Sequence, residues 1–255
     1  MFRLVLFDID GTLIHTDGAG IRAFGKVFET YFKIPSATRG VSFAGRTDTS
    51  LAREIFTRHL IPTTTENFAI FFEQYAFWLA HLLTQTRGDI YPGVWRFIYE
   101  LQRLPEPPVI GLLTGNVRLG AEIKLRHFNL WEFFLTGAFG DEREDRRQIA
   151  ALARERGVRI LGRNIRPEEI LVIGDTPLDI DCARAIGAQT LAVATGDYTV
   201  AELKAHQPTW AVPNLDQVRV RDLFRDSAPA VAGLMRMLAM PAATSAPGTA
   251  GAGRF

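Results

Sequence analysis

Four short runs of unbroken apolar residues, 4–7, 109–113, 170–173 and 190–194, constrain this chain more than any other feature. A strand without polar alternation must be covered on both faces, which places it in a parallel sheet clothed by helices. From Tyr91 onward these runs alternate with helix-period segments at 94–104, 118–127, 146–156 and 178–186. That order predicts an α/β fold with a doubly wound parallel sheet. The stretch 16–88 departs from it, with mainly helical patterning and no strong buried strand before Val109. It reads as a helical insertion after the first strand. Residues 1–15 and 91–226 are therefore expected to form the α/β core and 16–90 an inserted all-helical unit. Residues 227–255 are expected to form one terminal helix, at 231–240, and a tail rich in Ala, Pro, Gly and Ser.

The balance of 29 Lys and Arg against 28 Asp and Glu leaves a net charge of +1. That gives no electrostatic footprint for nucleic acid or an anionic membrane surface, so the expected partner is a small molecule. Segment 66–86 has the length of a membrane span, but Glu73 and Gln74 interrupt it, and it reads as a buried or interface helix. Its Phe68, Phe71, Phe72, Tyr75, Phe77 and Trp78 cover more than one narrow stripe. This pattern fits core packing within the insertion, or a face that meets a second copy of the chain as a homodimer. One cysteine, Cys182, excludes an intrachain disulfide and cysteine-rich zinc sites. Asp8 and Asp10 cut the apolar start far short of a signal-peptide core. A cytoplasmic location is expected.

The chemistry lies at the strand ends. Asp8 and Asp10 stand where the first buried strand gives way to Gly11, and Asp175 and Asp179 follow the run 170–173. Ligands of doubly wound folds bind outside the carboxyl ends of the strands. A bare Asp-x-Asp also reads as a loop cap, but several carboxylates sharing one crevice would repel one another unless a cation neutralised them. An oxygen-only donor set favours Mg²⁺ over zinc, and Mg²⁺ keeps waters and takes phosphate oxygens, so a phosphate group is expected on the substrate. Thr114, Gly115 and Asn116, after the run 109–113, offer a hydroxyl, backbone N–H groups and an amide to an anionic oxygen. Alone they also read as a helix cap.

In this order the segments resemble the haloacid dehalogenase superfamily, in its phosphoglycolate phosphatase and β-phosphoglucomutase branch with a helical cap. Asp8-Ile-Asp-Gly-Thr-Leu13 is similar to the first family motif, Leu112-Leu-Thr114 to the second and Gly174-Asp-Thr-Pro-Leu-Asp179 to the fourth. The resemblance spans about residues 2–194. It implies a Rossmann-like core, Asp8 as nucleophile and Asp10 as acid and base, with Gly11, Thr12, Gly115 and Asn116 around the phosphate. It also implies Mg²⁺ held by Asp8, Asp175 and the backbone carbonyl of Asp10, with Asp179 orienting the metal's waters. The function so implied is hydrolysis of a small phosphorylated metabolite, phosphoglycolate-like, through an aspartyl-phosphate. Alternatives are a phosphomutase using the same carboxylates and a catalytically silent binding module. Dehalogenase and phosphonate-cleaving chemistry fit less well: the former does not need Asp10, and the latter needs a cap lysine where only Lys26 and Lys33 stand.

The third family motif is ordinarily a lysine, and here the sequence departs. The single lysine between Asn116 and Gly174 is Lys124, about two helical turns from the strand end, roughly 10 Å away at 1.5 Å per residue. It is expected to be too remote. Arg146 is the expected substitute, because its charge run follows a strand expected at 133–139 and returns to the same sheet edge; Arg143 and Arg147 are alternatives, and a solvated helix start is the plain reading of the run. In the insertion, Gly45-Arg-Thr-Asp48 resembles a substrate-contacting cap loop. Arg46 is the candidate for a second anionic group, against a reading of Asp48 as helix cap and Arg46 as surface charge. Residues 15–20 and 87–93 are the expected hinges.

Overall fold

The first apolar run forms β1 (Leu4–Phe7), all four residues buried. The computed structural model describes residues 1–226, so the helix and tail expected at 227–255 lie outside the described residues. After β1 come β2 (Ile14–His15), α1 (Ala19–Thr30), α2 (Asp48–Arg58), α3 (Thr65–Leu83) and β3 (Asp89–Ile90). The chain continues through α4 (Val94–Gln102), β4 (Val109–Leu113), α5 (Arg118–His127), β5 (Thr136–Ala138) and α6 (Arg146–Leu161). It closes with β6 (Ile170–Gly174), α7 (Pro177–Ala185), β7 (Gln189–Val193), α8 (Val200–Ala205), β8 (Trp210–Val212) and α9 (Val220–Asp226).

Six strands form one parallel sheet in the order β5-β4-β1-β6-β7-β8. Successive residues of β1 serve opposite faces, as the pleat requires. Val5 and Phe7 pack with Phe97, Ile98 and Leu125, whereas Leu4 and Leu6 pack with Ile149, Ala150 and Ala183. Phe7 is level with Leu112 of β4 and Ile173 of β6, so three neighbouring strands end together. The chain leaves β1 for β4 and β5 on one side and returns to β6 on the other, making β1 the switch point where such folds open a crevice.

Two details differ from the sequence reading. The strand expected at 133–139 contracts to Thr136–Ala138, because Trp131–Phe133 form a 3₁₀ turn. The edge strand β8, half-buried throughout, was not anticipated.

Helices α1, α2 and α3 occupy the span between β2 and β3. Those two strands pair antiparallel, Ile14 with Ile90 and His15 with Asp89, so both connections leave the core as one narrow ribbon. Phe24, Phe28, Phe56 and Phe71 make the aromatic centre of this helical insert. Helix α3 buries Phe71, Tyr75, Leu79 and Leu83 at four-residue spacing, and Phe68, Phe72 and Trp78 are partly buried in the same cluster. Phe77 is left 64% exposed. Among the described residues no helix is long and apolar enough to cross a membrane.

Candidate active site

Ending β1, β4 and β6 at one level sets Asp8, Thr114 and Asp175 side by side just beyond the sheet. Asp8 is 5% exposed, and its backbone N–H donates to the Ile173 carbonyl at 2.9 Å. Gly11 turns the chain away with φ +80°, and a side chain there would collide with the Asp175 carboxylate. Thr12 donates its hydroxyl to Asp175 Oδ1 at 2.9 Å. Asp179 lies in the first turn of α7, whose start is a capping box: its Oδ2 accepts from the Thr176 N–H at 3.0 Å and the Thr176 hydroxyl at 2.7 Å.

Side-chain oxygens of Asp8, Asp175 and Asp179 all lie within 4.8 Å of one another. Burial pushes the Asp8 carboxyl up to about 7; the Asp179 charge adds to this, while Arg146 and a hydrogen bond from Thr114 work against it. The Asp175 carboxyl is also raised, by burial first and then by Asp179 and Asp8. Asp8 and Asp175 thus resist simultaneous ionisation, as carboxylates sharing a buried site do, and a bound cation would relieve this. The donor set is three hard oxygens without His or Cys, and it fits Mg²⁺ better than a soft metal. A Cβ at Gly196 would also strike the Asp175 carboxylate, so the walls beside the cluster are backbone.

Arg146 is the first residue of α6 and is 7% exposed. Its Nη2 donates to Asp179 Oδ1 and lies 3.6 Å from Asp8 Oδ2, and its Nη1 donates to the Gly45 carbonyl at 2.9 Å. Burial disfavours its charge, but Asp179 and Asp8 more than offset that and its pKa is raised. Its Nε is buried without a hydrogen-bond partner. The two alternatives point elsewhere: Arg143 donates to the Glu142 carbonyl, Arg147 pairs with Asp145 at 2.8 Å, and both are exposed.

Lys124 corrects the sequence reading. It is 4% exposed, and its Nζ donates to Asp10 Oδ2 at 2.6 Å and to Asn116 Oδ1 at 2.6 Å. The expectation of remoteness counted the helical rise alone. Side chains lean toward the N-terminus of their helix, and a lysine stem extends far along that direction. Asp10 also receives Asn116 Nδ2 at 2.8 Å, and Asn116 Nδ2 in turn lies 2.9 Å from Thr114 Oγ1. The Asp10 side chain is thus held by Asn116 and Lys124 and stands outside the three-carboxylate cluster.

Loop 42–47 of the insert closes over the strand ends. A Cβ at Gly115 would strike the Arg46 carbonyl, and the Asp48 N–H donates to the Gly115 carbonyl at 2.8 Å. The cap of α2 is Thr47, which accepts from the Ser50 N–H, rather than Asp48. Asp48 is instead buried with its Oδ2 accepting from the Val117 N–H at 2.9 Å, and burial pushes its carboxyl up to about 7, with Lys124 and that hydrogen bond opposing. Arg46 reaches the cavity wall, but its Nη1 donates to Glu54 at 2.6 Å. Asp48 and Lys124 acquire their places from tertiary packing; no local pattern marks either one.

The model of the haloacid dehalogenase-like hydrolases matches residues 5–193. The probable phosphatase IndB of Dickeya dadantii (strain 3937) is 26% identical over 228 residues, covering 86% of this chain and 92% of that protein. The pyrophosphatase PpaX of Bacillus cereus (strain AH820) is 25% identical over 224 residues, covering 84% and 93%. Among solved structures, a β-phosphoglucomutase from Clostridium difficile superposes with a TM-score of 0.69 at 16% identity, over 89% of this chain and 97% of that one. A predicted phosphoglycolate phosphatase from Haemophilus somnus 129pt gives 0.65 at 18% identity, over 89% and 98%. These structural likenesses speak for the fold.

Proposed function

The chain belongs to the haloacid dehalogenase-like hydrolase family, and from that premise we propose that it is a Mg²⁺-dependent phosphatase that cleaves a small phosphate monoester through an aspartyl-phosphate on Asp8. The observation that carries this reading is the convergence of Asp8, Asp175 and Asp179 on one buried point, with Arg146 across it. Asp8 and Asp175 would hold the ion through side chains and Asp10 through its backbone carbonyl, while both Asp179 oxygens are already bonded to Thr176 and Arg146. When bound, the ion supplies positive charge to the carboxylates and to the phosphoryl oxygens.

In the first step a side-chain oxygen of Asp8 bonds to phosphorus, the ester P–O bond breaks, and protonated Asp10 gives its proton to the leaving oxygen. In the second step the Asp10 carboxylate takes a proton from water as the water oxygen attacks phosphorus, freeing Asp8 and inorganic phosphate. Lys124 and Asn116 fix Oδ2 of Asp10, leaving Oδ1 for the travelling proton. Gly11, Gly115 and Asn116 line the cavity where the phosphoryl oxygens would sit, while Thr12 and Thr114 hold the Asp175 and Asp8 carboxylates from behind. Arg146 stands in for the usual lysine and stabilises the charge that spreads over those oxygens.

The relatives named phosphatase and pyrophosphatase support phosphoryl chemistry. A phosphoglycolate-like substrate would need a cation for its carboxylate, and Arg46, the expected one, is bonded to Glu54. The partner is then a small phosphorylated metabolite in a reducing cytoplasm. A homodimer through the insert would use exposed Phe77, and sedimentation at rising concentration tests it. Turnover of 4-nitrophenyl phosphate with and without Mg²⁺, with acid-quenched enzyme analysed by mass spectrometry, tests the main reading. Mg²⁺-dependent release of inorganic phosphate and a phosphoryl adduct on Asp8 are expected. An isomerised sugar phosphate without phosphate release would mean mutase chemistry, and no turnover would leave a binding module.

A further inference from the structure

We propose that the alcohol released by this enzyme is neutral and largely apolar, so that the phosphoryl group is the substrate's one charged group. The proposal rests on the phosphatase reading and deepens it. Between the strand ends and the insert lies a cavity of about 570 Å³, with Asp8, Asp10, Asp175 and Arg146 in its wall. On the insert side the accessible apolar residues of the wall are Ile21, Val41 and Phe43, set among polar ones such as Thr38 and Ser42, with Phe24 and Tyr75 buried behind them. Phe24 stands edge-on to Phe43 and Tyr75, with ring centres 5.5 and 4.9 Å away, so the accessible Phe43 is backed by a buried aromatic cluster that holds it rigid. The charged groups gather at the strand ends, and the apolar residues of the insert side offer the part of the ligand beyond the phosphoryl group an apolar contact.

Charge points the same way. Three full cations line the cavity, and each is bonded to a carboxylate: Arg146 to Asp179, Lys124 to Asp10, and Arg46 to Glu54. The remaining basic group, His15, lies against the Tyr91 ring with centres 5.4 Å apart. The other charged residues of the wall, Asp8, Asp17, Asp48, Asp175 and Asp197, are acidic. Mg²⁺ and Arg146 answer the phosphoryl charge at the strand ends. A second anionic group on the alcohol would find no free cation and several carboxylates, and an enclosed charge without a partner is strongly disfavoured. Phosphoglycolate and pyrophosphate both carry such a group.

The Mg²⁺-loaded full chain tests this with paired esters. Glycolamide phosphate and phosphoglycolate share a skeleton and differ in charge; benzyl and ethyl phosphate differ in apolar bulk. We expect kcat/KM to favour the amide over the carboxylate by about tenfold or more, and benzyl over ethyl by a similar factor, the size one or more well-buried apolar groups usually give. Phosphoglycolate or pyrophosphate matching or exceeding the neutral esters would overturn the proposal. Glu54→Gln supplies a second arm, because it releases Arg46 without touching the carboxylate cluster. It should raise kcat/KM for phosphoglycolate several-fold and leave benzyl phosphate unchanged; an unchanged phosphoglycolate rate would refute the paired-cation argument. If 4-nitrophenyl phosphate and all four esters are inert, the phosphatase reading itself has failed and this proposal falls with it.

Discussion

Lys124→Met removes an ammonium while keeping the length and apolar stem of the side chain. The lysine side chain is 5% exposed and its partner Asp10 44% exposed. Water can therefore replace the lost bond at Asp10 but not easily at Asn116 Oδ1. A hydrogen bond to a charged group contributes about 1.5–3 kcal/mol, and solvation of Asp10 places the effect near the lower end. That corresponds to roughly tenfold in rate at 1.36 kcal/mol per decade. The loss should not be uniform. If Lys124 holds Asp10 for proton donation, esters with poor, basic leaving groups lose the full factor, whereas 4-nitrophenyl phosphate, whose leaving oxygen needs little protonation, loses less. The assay is kcat across a series of esters of rising alcohol pKa, with Asp10→Asn and the double variant completing a cycle. Asp10→Asn alone should cost about 10²-fold or more on poor leaving groups, and Lys124→Met should add little on top of it. An equal loss on every ester, or full additivity with Asp10→Asn, would refute the positioning role.

Asp8→Asn should retain the melting temperature and abolish turnover and the phosphoryl adduct, since an amide cannot attack phosphorus; wild-type-like hydrolysis would remove Asp8 as nucleophile. Arg146→Ala should lower kcat by roughly 10²-fold or more, whereas Arg143→Ala and Arg147→Ala should leave it near wild type. Arg146→Lys should be partly active, because the charge survives and the fork is lost. Asp48 gives a pH test: its folded carboxyl is raised from 3.8 to about 7, so folding favours the protonated form. Its contribution is fully present below about pH 4 and is lost as pH rises toward 7. Asp48→Asn mimics the protonated form, and its stability relative to wild type should grow from pH 4 to pH 7 by at most about 4 kcal/mol; melting curves showing a pH-independent difference would contradict this.

The sheet was legible because β1, β4, β6 and the Leu191–Val193 end of β7 are apolar without interruption, and the acids that follow β1 and β6 could be assigned to one rim. The edge strand β8 escaped because Trp210, Ala211 and Val212 are half-buried with a single neighbouring strand, which leaves a weak pattern. Arg146 could be singled out from strand-end geometry, although nothing local separates it from Arg143 and Arg147. Its distinction comes from burial against Asp179. Lys124 was misjudged because position along a helix axis was taken for reach. The Arg46–Glu54 pair joins a loop to a helix and depends on how that loop is folded, so the sequence reading left Arg46 free.

The place of β1 at the centre of the sheet governs the order in which the molecule can be made. Its two edges are satisfied by Val109–Leu113 and Ile170–Gly174, segments the ribosome adds after more than a hundred further residues. Until then an apolar strand with both edges bare waits in the nascent chain, a hazard for edge-to-edge association. The helices of the insert, whose contacts are local, can condense meanwhile, since short-range contacts form first. The site built on Asp8 is consequently late to exist, completed only when β6 docks beside a strand made long before it.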